Sequence, residues 1–465
     1  MYHLLPFNFI HIGEHDALIN ELGDLLLTPQ GTAEQAIMHD LDEDTDVYKS
    51  LVANFFISET PLPSLMDIYA ERLAEKKRFL DDKTSLHIFV LTIRCNQCCA
   101  YCQASSIDSS NKNASMSEEA MLRAVDLMFE SPSPHLTMEF QGGEPSLEYS
   151  LFELAITYAL EKNRTQKREL TFVLCTNCAN LTSDILKLCS QFGVLISTSL
   201  DGPEWIHNAN RGRKDSYQKV IKGIEQARGK LGFDRVNALM TTSVLSLDYP
   251  HEIVDEYVRL GFKDIFLRSL NPYGLAKDND DWTLYTERFI SFYKEALEYI
   301  IELNKKGIYL KENFASIILR KMLTPWNSGF VDLQSPAGIV NSVIVYNYDG
   351  KVYASDESRM LMEHGDNTFC LGSVNNLYDD LIYSDKTVQW SKLWSNESLA
   401  GCSSCPFRVY CGADPVRHHS TQGDMYGFRP TSLVCKKNYA IIEHIIRLIA
   451  TRQSEVIPIF MSWIR

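Results

Sequence analysis

The chain has 465 residues, with 45 basic and 60 acidic side chains and a formal net charge of −15. Apolar residues make up 45% and charged residues 23%, which excludes a disordered or fibrous chain. So acidic a composition also argues against binding to nucleic acid, because a phosphate backbone requires a basic surface.

The first predicted unit covers residues 1–83 and consists of strands followed by helices. Apolar runs at 17–20 and 24–28 predict two strands joined by a turn at Leu22-Gly23. Helical patterns follow over three stretches: 32–41, 44–56 and 63–80.

From residue 84 to residue 310, apolar runs of strand length alternate with amphipathic helical stretches. Strands are predicted at 86–93, 136–140, 170–175, 194–200, 237–244 and 264–270. Helices are predicted at 117–130, 147–163, 182–191, 215–229, 250–260 and 281–306. This alternation indicates right-handed βαβ units and a parallel sheet, so the predicted fold class is α/β.

The alternation stops in the last predicted unit, residues 311–465. Runs at 343–346 and 351–354 flank an Asp349-Gly350 turn, which predicts a β-hairpin. A loop-rich segment with several cysteines follows over 400–435, and a helix is predicted over 437–452.

The chain has twelve cysteines, and seven of them fall into two tight groups within 95–102 and 402–411. No apolar run approaches the ~18 residues of a membrane span, and the first residues lack the pattern of a signal peptide. We therefore expect a cytoplasmic protein without membrane contacts, in which grouped cysteines indicate metal or redox sites. Cys370 and the three cysteines between 175 and 189 fit a structural use of the thiol.

The first group, within Cys95-Asn96-Gln97-Cys98-Cys99-Ala100-Tyr101-Cys102, directly follows the first core strand. Its two C-x2-C pairs can form a four-thiolate site, although the adjacent Cys98 and Cys99 do not easily point inward together. In the alternative, Cys95, Cys99 and Cys102 bind three irons of a [4Fe–4S] cluster, and Cys98 is a bystander. The fourth iron is then open, at the sheet edge where parallel α/β folds place their chemistry.

The C-x3-C-x-aromatic-C spacing resembles that of the radical S-adenosylmethionine (SAM) superfamily. A second match, Gln141-Gly142-Gly143-Glu144-Pro145, follows the second core strand, as a Gly-Gly-Glu segment does in that superfamily. The resemblance implies that Gly142 and Gly143 let the backbone approach the methionine part of SAM. It also implies that Glu144 accepts a hydrogen bond from the ammonium group of SAM.

Further matches follow in chain order. The resemblance assigns Asn177, at the end of the third strand, to the cofactor site. It assigns Ser199 and Arg211 to the SAM carboxylate, which a guanidinium can bind through two hydrogen bonds. A turn cap and a surface ion pair are the alternative roles of these two residues. Tyr101 is expected to place its backbone against the adenine.

The second group offers four thiolates, a full ligand set for a [4Fe–4S] cluster or a structural zinc ion: Cys402, Cys405, Cys411 and Cys435. It resembles the SPASM extension of peptide-modifying radical SAM enzymes, which has seven cysteines and two auxiliary clusters. In this chain, Gly412-Ala413-Asp414-Pro415 and Ser355-Asp356 stand where further cysteines are expected. The resemblance thus implies one auxiliary cluster, and two [4Fe–4S] clusters in all.

The chain as a whole is most similar to the His-Xaa-Ser system radical SAM maturases. The matching segments are Leu4-Leu5-Pro6-Phe7-Asn8-Phe9, Gln334-Ser335-Pro336-Ala337-Gly338, Tyr348-Asp349-Gly350 and the run from Cys411 to His419. This resemblance implies a ribosomally synthesised precursor peptide with His-Xaa-Ser repeats as the substrate. Implied partners are a second radical SAM maturase and an electron donor such as flavodoxin or ferredoxin.

The implied fold is an incomplete (β/α)6 radical SAM barrel over 84–310 with a SPASM-like iron–sulfur domain over 311–465. Residues 1–83 resemble a winged-helix peptide-recognition domain, which binds a peptide as an added strand; a packing cap is the alternative. The implied reaction is reductive cleavage of SAM to a 5′-deoxyadenosyl radical and oxidative modification of the peptide. Two other functions stay open: oxidation of a protein serine or cysteine, as in sulfatase maturases, and a non-catalytic scaffold stapled by zinc or iron.

Asp356 is the candidate catalytic base. In sulfatase maturases, the carboxylate at the matching place takes a proton from the substrate. Asp356 follows the second strand of the predicted hairpin, so that a rigid element positions it. In the alternative, Asp356 caps the next turn or pairs with Arg359, three residues further on.

Overall fold

The computed structural model describes residues 2–111, 114–278 and 281–464. The first unit comprises β1 (His3–Leu4), β2 (Phe7–Ile12), β3 (His15–Asn20), β4 (Leu25–Pro29), α1 (Thr32–Met38), α2 (Asp46–Ala53), β5 (Ile57–Ser58), α3 (Leu62–Lys76) and α4 (Phe79–Asp82). Strands β2, β3 and β4 form an antiparallel meander, and β1 pairs with β5. The sequence predicted β3 and β4 but missed β2, although Phe7–Ile12 alternates apolar and polar residues over most of its length.

The central unit comprises β6 (Leu86–Thr92), β7 (Arg94–Cys95), β8 (Ile107–Asp108), α5 (Glu118–Glu130), β9 (His135–Gly142), α6 (Tyr149–Gln166), β10 (Glu169–Thr176), α7 (Ser183–Phe192), β11 (Leu195–Ser199), α8 (Glu204–Arg211), α9 (Ser216–Leu231), β12 (Val236–Leu239), α10 (Pro250–Arg259), β13 (Asp264–Ile265) and α11 (Trp282–Lys305). Strands β6, β9, β10, β11 and β12 lie side by side and parallel, in that order. This confirms the predicted parallel α/β core. Side-chain caps fix helix starts, as where Ser117 accepts from the Ala120 N–H and Thr182 from the Ile185 N–H.

The sixth predicted strand, 264–270, was wrong in its extent. Only β13 is a strand, and it pairs with β14 rather than with β12. Further along the sixth predicted strand, Ser269 forms an isolated bridge with Thr242, which belongs to the fifth predicted strand, 237–244. The physical reason is a buried carboxylate, since Glu312 Oε1 accepts the Leu267 N–H at 3.1 Å in place of a neighbouring strand.

The last unit comprises β14 (Lys311–Glu312), α12 (Asn313–Leu323), β15 (Val343–Tyr346), β16 (Lys351–Tyr353), α13 (Asp356–Met362), β17 (Cys370–Ser373), α14 (Tyr378–Ile382), α15 (Asp385–Leu393), α16 (Pro415–Gln422) and α17 (Leu433–Trp463). The predicted hairpin is confirmed as β15 and β16. Strand β15 also pairs in parallel with β6, so the hairpin and β17 extend the core sheet to eight strands. Helix α17 extends beyond the predicted helix at both ends and is kinked at Arg452.

The first unit packs on the rest of the chain rather than standing apart. Ile12, Ala17 and Ile19 belong to the same apolar cluster as the buried faces of α11 and α17. Polar contacts reinforce the junction: the Tyr410 hydroxyl donates to the Gly23 carbonyl at 3.0 Å, and an ion pair of 2.7 Å joins Lys77 to Glu397. In the described part of the chain, no helix combines the length and apolar character that crossing a bilayer requires.

Candidate active site

A large open cavity lies at the carboxyl ends of the parallel strands. Residues at the strand ends line this cavity: Cys95 follows β6, Gly142 ends β9 and Ser199 ends β11. Ten of the fifteen predicted site residues line this one cavity: Cys95, Cys99, Tyr101, Cys102, Gly142, Gly143, Asn177, Ser199, Arg211 and Asp356. The alternation predicted from the sequence therefore brings segments from four βα units to one place.

Each of the three predicted cluster thiols faces an N–H donor. The Gln97 N–H donates to Cys95 Sγ at 3.4 Å and the Ser106 N–H donates to Cys102 Sγ at 3.4 Å. Arg211 Nη1 lies 3.8 Å from Cys99 Sγ. Burial, and then the neighbouring charged groups, raise the pKa of Cys95 to about 12. Buried thiols supplied with donors become thiolates when a cation neutralises them, so this donor set fits an iron–sulfur cluster.

Cys98 lies apart from these three thiols. It is exposed and does not line the cavity. Its backbone contributes instead, because the Cys98 N–H donates to the Arg211 carbonyl at 3.3 Å. The bystander role of its side chain stays a prediction.

The protein backbone leaves no space for a side chain at either glycine of the Gly-Gly-Glu segment. Gly142 has a φ of +147°, and a Cβ there would lie 2.0 Å from the Thr92 carbonyl oxygen. A Cβ on Gly143 would lie 2.4 Å from the Arg94 carbonyl oxygen. The segment thus packs directly against the backbone that leads into Cys95, and a side chain at either position would push the two apart.

Glu144 lies behind the cavity wall, fully buried. Its Oε1 accepts from the Ser146 N–H at 3.0 Å and the Thr176 hydroxyl at 2.6 Å, and its Oε2 accepts from the Asn177 N–H at 2.8 Å. Burial raises the pKa of this carboxyl. Glu144 therefore ties the end of β9 to the end of β10, and its predicted contact with the ammonium group of SAM stays a prediction.

Arg211 is held by a carboxylate that the sequence analysis did not assign. Its Nε and Nη2 donate to the two oxygens of Asp201 at 2.9 and 2.8 Å, and the Tyr101 hydroxyl donates to Asp201 Oδ2 at 2.6 Å. Although burial favours the neutral acid, the Arg211 charge holds the pKa of Asp201 below its usual range. Two nitrogens of the Arg211 guanidinium, Nε and Nη2, are thus bound to Asp201. The third, Nη1, lies near Cys99 Sγ on the cavity side. The signal in the sequence was the position of Asp201, directly after the predicted strand 194–200.

Asp356 combines features of both its predicted roles. It lines the cavity, and it begins α13, whose N-cap Ser355 shares a capping box with Ser358. Its Oδ1 lies 3.1 Å from Nη2 of the buried Arg359, which is the ion pair of the structural alternative. Arg268, which the sequence analysis did not single out, lines the same cavity.

The four cysteines of the second group lie close to one another at the start of α17 and in the preceding loops. Burial, and then the charges of the other three thiols, raise the pKa of Cys405 to about 12. Arg429 Nε donates to Cys402 Sγ at 2.8 Å, and Asn438 Nδ2 donates to Cys411 Sγ at 3.5 Å. Neither cysteine group converges tightly enough for one metal ion among the residues that the structure describes.

Part of this chain is similar to known proteins. The Radical SAM superfamily model matches residues 89–260. A cysteine-type anaerobic sulfatase-maturating enzyme from Clostridium perfringens is 24% identical over 327 residues, which cover 68% of this chain and 84% of that enzyme.

Two solved structures have a similar fold. Native anSMEcpe with bound AdoMet superposes with a TM-score of 0.65 at 20% identity, covering 79% of this chain and 99% of that one. SuiB from Streptococcus suis, bound to the precursor peptide SuiA, superposes with a TM-score of 0.55 at 12% identity, covering 94% and 100%. Residues 89–260 therefore form a radical SAM domain, in a mixed α/β fold whose C-terminal region is similar to SPASM-type domains. Domains of this superfamily use a [4Fe–4S] cluster and SAM.

Proposed function

We propose that the radical SAM domain of this chain oxidatively modifies a residue in a ribosomally synthesised precursor peptide of the His-Xaa-Ser type. One observation carries the proposal: a single cavity collects the three thiols, the glycine segment, Arg211 and a carboxylate at the carboxyl ends of the strands. A binding scaffold would need the thiols for stability but would not need them open to a cavity. The cavity therefore supports chemistry on a bound ligand.

The chain's own residues have separable tasks in this proposal. Cys95, Cys99 and Cys102 would hold a [4Fe–4S] cluster that, when loaded with SAM, supplies a 5′-deoxyadenosyl radical for hydrogen abstraction. Arg211 Nη1 and Ser199 would hold the SAM carboxylate. Asp356 would accept the proton that a two-electron oxidation of the substrate must release.

The second cysteine group would hold a second [4Fe–4S] cluster, suited to electron transfer. Its four thiols form a closed ligand set without an open position, which fits an auxiliary cluster rather than a substrate site. The N–H donors from Arg429 and Asn438 would stabilise the thiolate charge.

The meander of the first unit is the proposed binding site for the peptide. In this meander β3 is paired on both sides, whereas β2 and β4 each pair on one side within it. An extended peptide can add to such an edge through main-chain hydrogen bonds. The likeness to SuiB, which covers 94% of this chain and was solved with a precursor peptide, supports this assignment.

The test is a reaction of the anaerobically reconstituted enzyme with SAM, a reductant and a synthetic peptide that contains His-Xaa-Ser repeats. We expect 5′-deoxyadenosine and a peptide lighter by about two hydrogens or cross-linked, measured by mass spectrometry. A peptide of the same composition with its His and Ser residues changed to Ala is the control. 5′-Deoxyadenosine with an unchanged His-Xaa-Ser peptide would refute the substrate assignment.

A second candidate function is oxidation of a protein cysteine or serine. The observation that favours it is the 24% identity to a sulfatase-maturating enzyme over 68% of this chain. The same assay with a sulfatase-derived peptide, in its Cys and Ser forms, separates the two candidates. Oxidation of this peptide alone would favour the second.

A further inference from the structure

A second cavity lies beside the candidate active site, where α13, α16 and α17 approach one another. Arg268 lines both cavities. The adjacent residues Asp356 and Glu357 divide between them, because Asp356 lines the first cavity and Glu357 the second. Two cavities that share a wall in this way can receive neighbouring parts of one extended ligand.

Two cations of the second cavity have neutral side chains as their hydrogen-bond partners. Arg417 is 6% exposed, and its Nη1 donates to Asn271 Oδ1 at 2.5 Å. Lys437 Nζ donates to Ser269 Oγ at 3.2 Å. Within the described residues, no carboxylate oxygen lies within 4.0 Å of either charged group. Arg417 is buried and Lys437 is half-buried. Because the direct hydrogen-bond partners of both charged groups are neutral, an added anion between them is favoured.

Three carboxylates also line this cavity: Asp332, Glu357 and Asp414. Asp414 Oδ1 accepts the Arg417 backbone N–H at 3.0 Å and so caps α16. Glu357 lies 3.9 Å from Arg268. Asp332 lines the cavity, where the surrounding protein raises the pKa of its carboxyl while Arg268, Lys437 and Arg417 lower it. Asp332 is therefore the internal group that would compete with an added anion.

A further buried polar atom has no partner. Asn438 is 6% exposed and lines the cavity, and its Oδ1 lacks a hydrogen bond among the described residues. Its Nδ2 is engaged with Cys411 Sγ, so the amide orientation is fixed. A buried carbonyl oxygen without a donor costs free energy, and the N–H of a peptide backbone is one donor that could satisfy it. Phe266, Phe314 and Phe330 add apolar walls, which strengthen polar contacts by excluding water.

We propose that this cavity binds a carboxylate of the peptide substrate between Arg417 and Lys437, while a nearby residue of the same peptide occupies the first cavity. The inference rests on the proposed function, because the ligand is the peptide. An acidic side chain and the peptide's C-terminus present the same chemistry. The cavity thus selects a reacting residue that has a carboxylate close to it in the chain.

The probe is 4-bromobenzoate, whose ring suits the phenylalanine walls and whose bromine is located by anomalous scattering in crystals of the reconstituted enzyme. We expect bromine in the second cavity, and binding by calorimetry that weakens at least about tenfold in Arg417→Gln. Arg417→Lys retains the charge and should stay within about threefold of the wild type. Neutral 4-bromobenzamide is the matched probe and should bind at least about tenfold more weakly.

Asp332→Asn keeps the proposal falsifiable if Arg417→Gln fails to fold. Removing the competing carboxylate should tighten 4-bromobenzoate binding about threefold or more. Preferential binding of 4-bromobenzylammonium, or carboxylate binding at soaking concentrations that Arg417→Gln leaves unchanged, would overturn the proposal. Iron content and SAM cleavage without peptide should stay unchanged in all these variants, so failure of the cavity is distinct from failure of the proposed function.

The source of the carboxylate is decided with peptides that the enzyme modifies. A C-terminal amide should lower the apparent affinity about tenfold if the terminus binds, and an Asp→Asn or Glu→Gln exchange should do so if a side chain binds. Both changes should have less effect in Arg417→Gln. Equal losses in the wild type and in this variant would contradict the assigned cavity.

Discussion

At the scale of single residues, Asp201 organises one side of the candidate active site. Its two oxygens accept from Arg211, Tyr101 and the Thr241 N–H, and all these contacts are buried or partly buried. Arg211 is thereby fixed with one nitrogen toward Cys99. An arginine whose geometry is fixed before the ligand arrives loses little freedom on binding, which favours affinity.

The cluster thiols can be separated from Cys98 by substitution. Changing Cys95, Cys99 and Cys102 together to Ala should halve the iron content and lower 5′-deoxyadenosine formation to background, because no thiolate remains for the proposed cluster. Cys98→Ala is the matched control, since that side chain is exposed. Iron analysis and chromatography measure both. Loss of SAM cleavage in Cys98→Ala would disprove the bystander assignment.

Asp356 can be tested by an isosteric change. Asp356→Asn keeps the shape of the side chain but removes the base, so 5′-deoxyadenosine should still form while modified peptide falls at least about 100-fold. Arg359→Lys is the companion variant, because it keeps a cation beside Asp356. Peptide modification at the wild-type rate in Asp356→Asn would assign this carboxylate to the ion pair with Arg359.

At the scale of elements, the contact between the end of β9 and the backbone after β6 shapes the cavity. Gly143 N–H and Glu144 N–H donate to the carbonyls of Thr92 and Arg94, each at 2.8 Å. Backbone hydrogen bonds thus join the glycine segment to the chain that leads into the first cysteine segment. This contact explains why glycine is required at 142 and 143 even without a ligand.

Gly143→Ala tests this contact. The added Cβ would lie 2.4 Å from the Arg94 carbonyl oxygen, so we expect a loss of about 3 kcal/mol in unfolding free energy and strongly reduced SAM cleavage. Gly229→Ala is the control, because Gly229 is exposed on α9 and no atom lies within 4 Å of the added Cβ, so that Ala should stabilise by up to about 1 kcal/mol. Chemical denaturation measures both. An unaltered Gly143→Ala protein would contradict the close packing.

At the scale of the whole molecule, the iron content reports the number of clusters. Two cubanes predict about 8 irons per reconstituted chain, since each holds four. The second group should account for half, so Cys402→Ala together with Cys405→Ala should leave about 4. Iron and sulfide analysis after anaerobic purification measures this. About 12 irons in the wild type would require a further cluster and refute the single auxiliary cluster.

The first unit can be tested by deletion of residues 1–83. We expect SAM cleavage to persist, because all the assigned cofactor and cluster residues lie beyond this unit, and peptide affinity to fall at least about tenfold. The deletion also removes the Lys77–Glu397 ion pair and uncovers apolar surface, so the melting temperature should drop. Lys77→Gln is the control for that junction. Unchanged peptide affinity in a folded deletion variant would favour the packing-cap alternative.

The sequence by itself determined the features that depend on local pattern. Alternating apolar runs and helix signals predicted the parallel core, and the Asp349-Gly350 turn predicted the hairpin, because period and turn chemistry act over a few residues. Both cysteine groups could also be recognised from the sequence, because most of their members are only a few residues apart. The resemblance to the radical SAM superfamily assigned the glycine segment and Arg211 to the same site as the first group.

Only the tertiary structure decided how distant segments use their polar groups. Asp201 engages the fork of Arg211, Glu312 takes a backbone donor from the shortened sixth strand, and β15 joins β6 more than 250 residues away in the chain. Arg417 and Lys437 meet at a cavity beside the candidate active site in the same way. Burial and hydrogen bonding depend on which surfaces pack together, and no pattern of neighbouring residues encodes that choice.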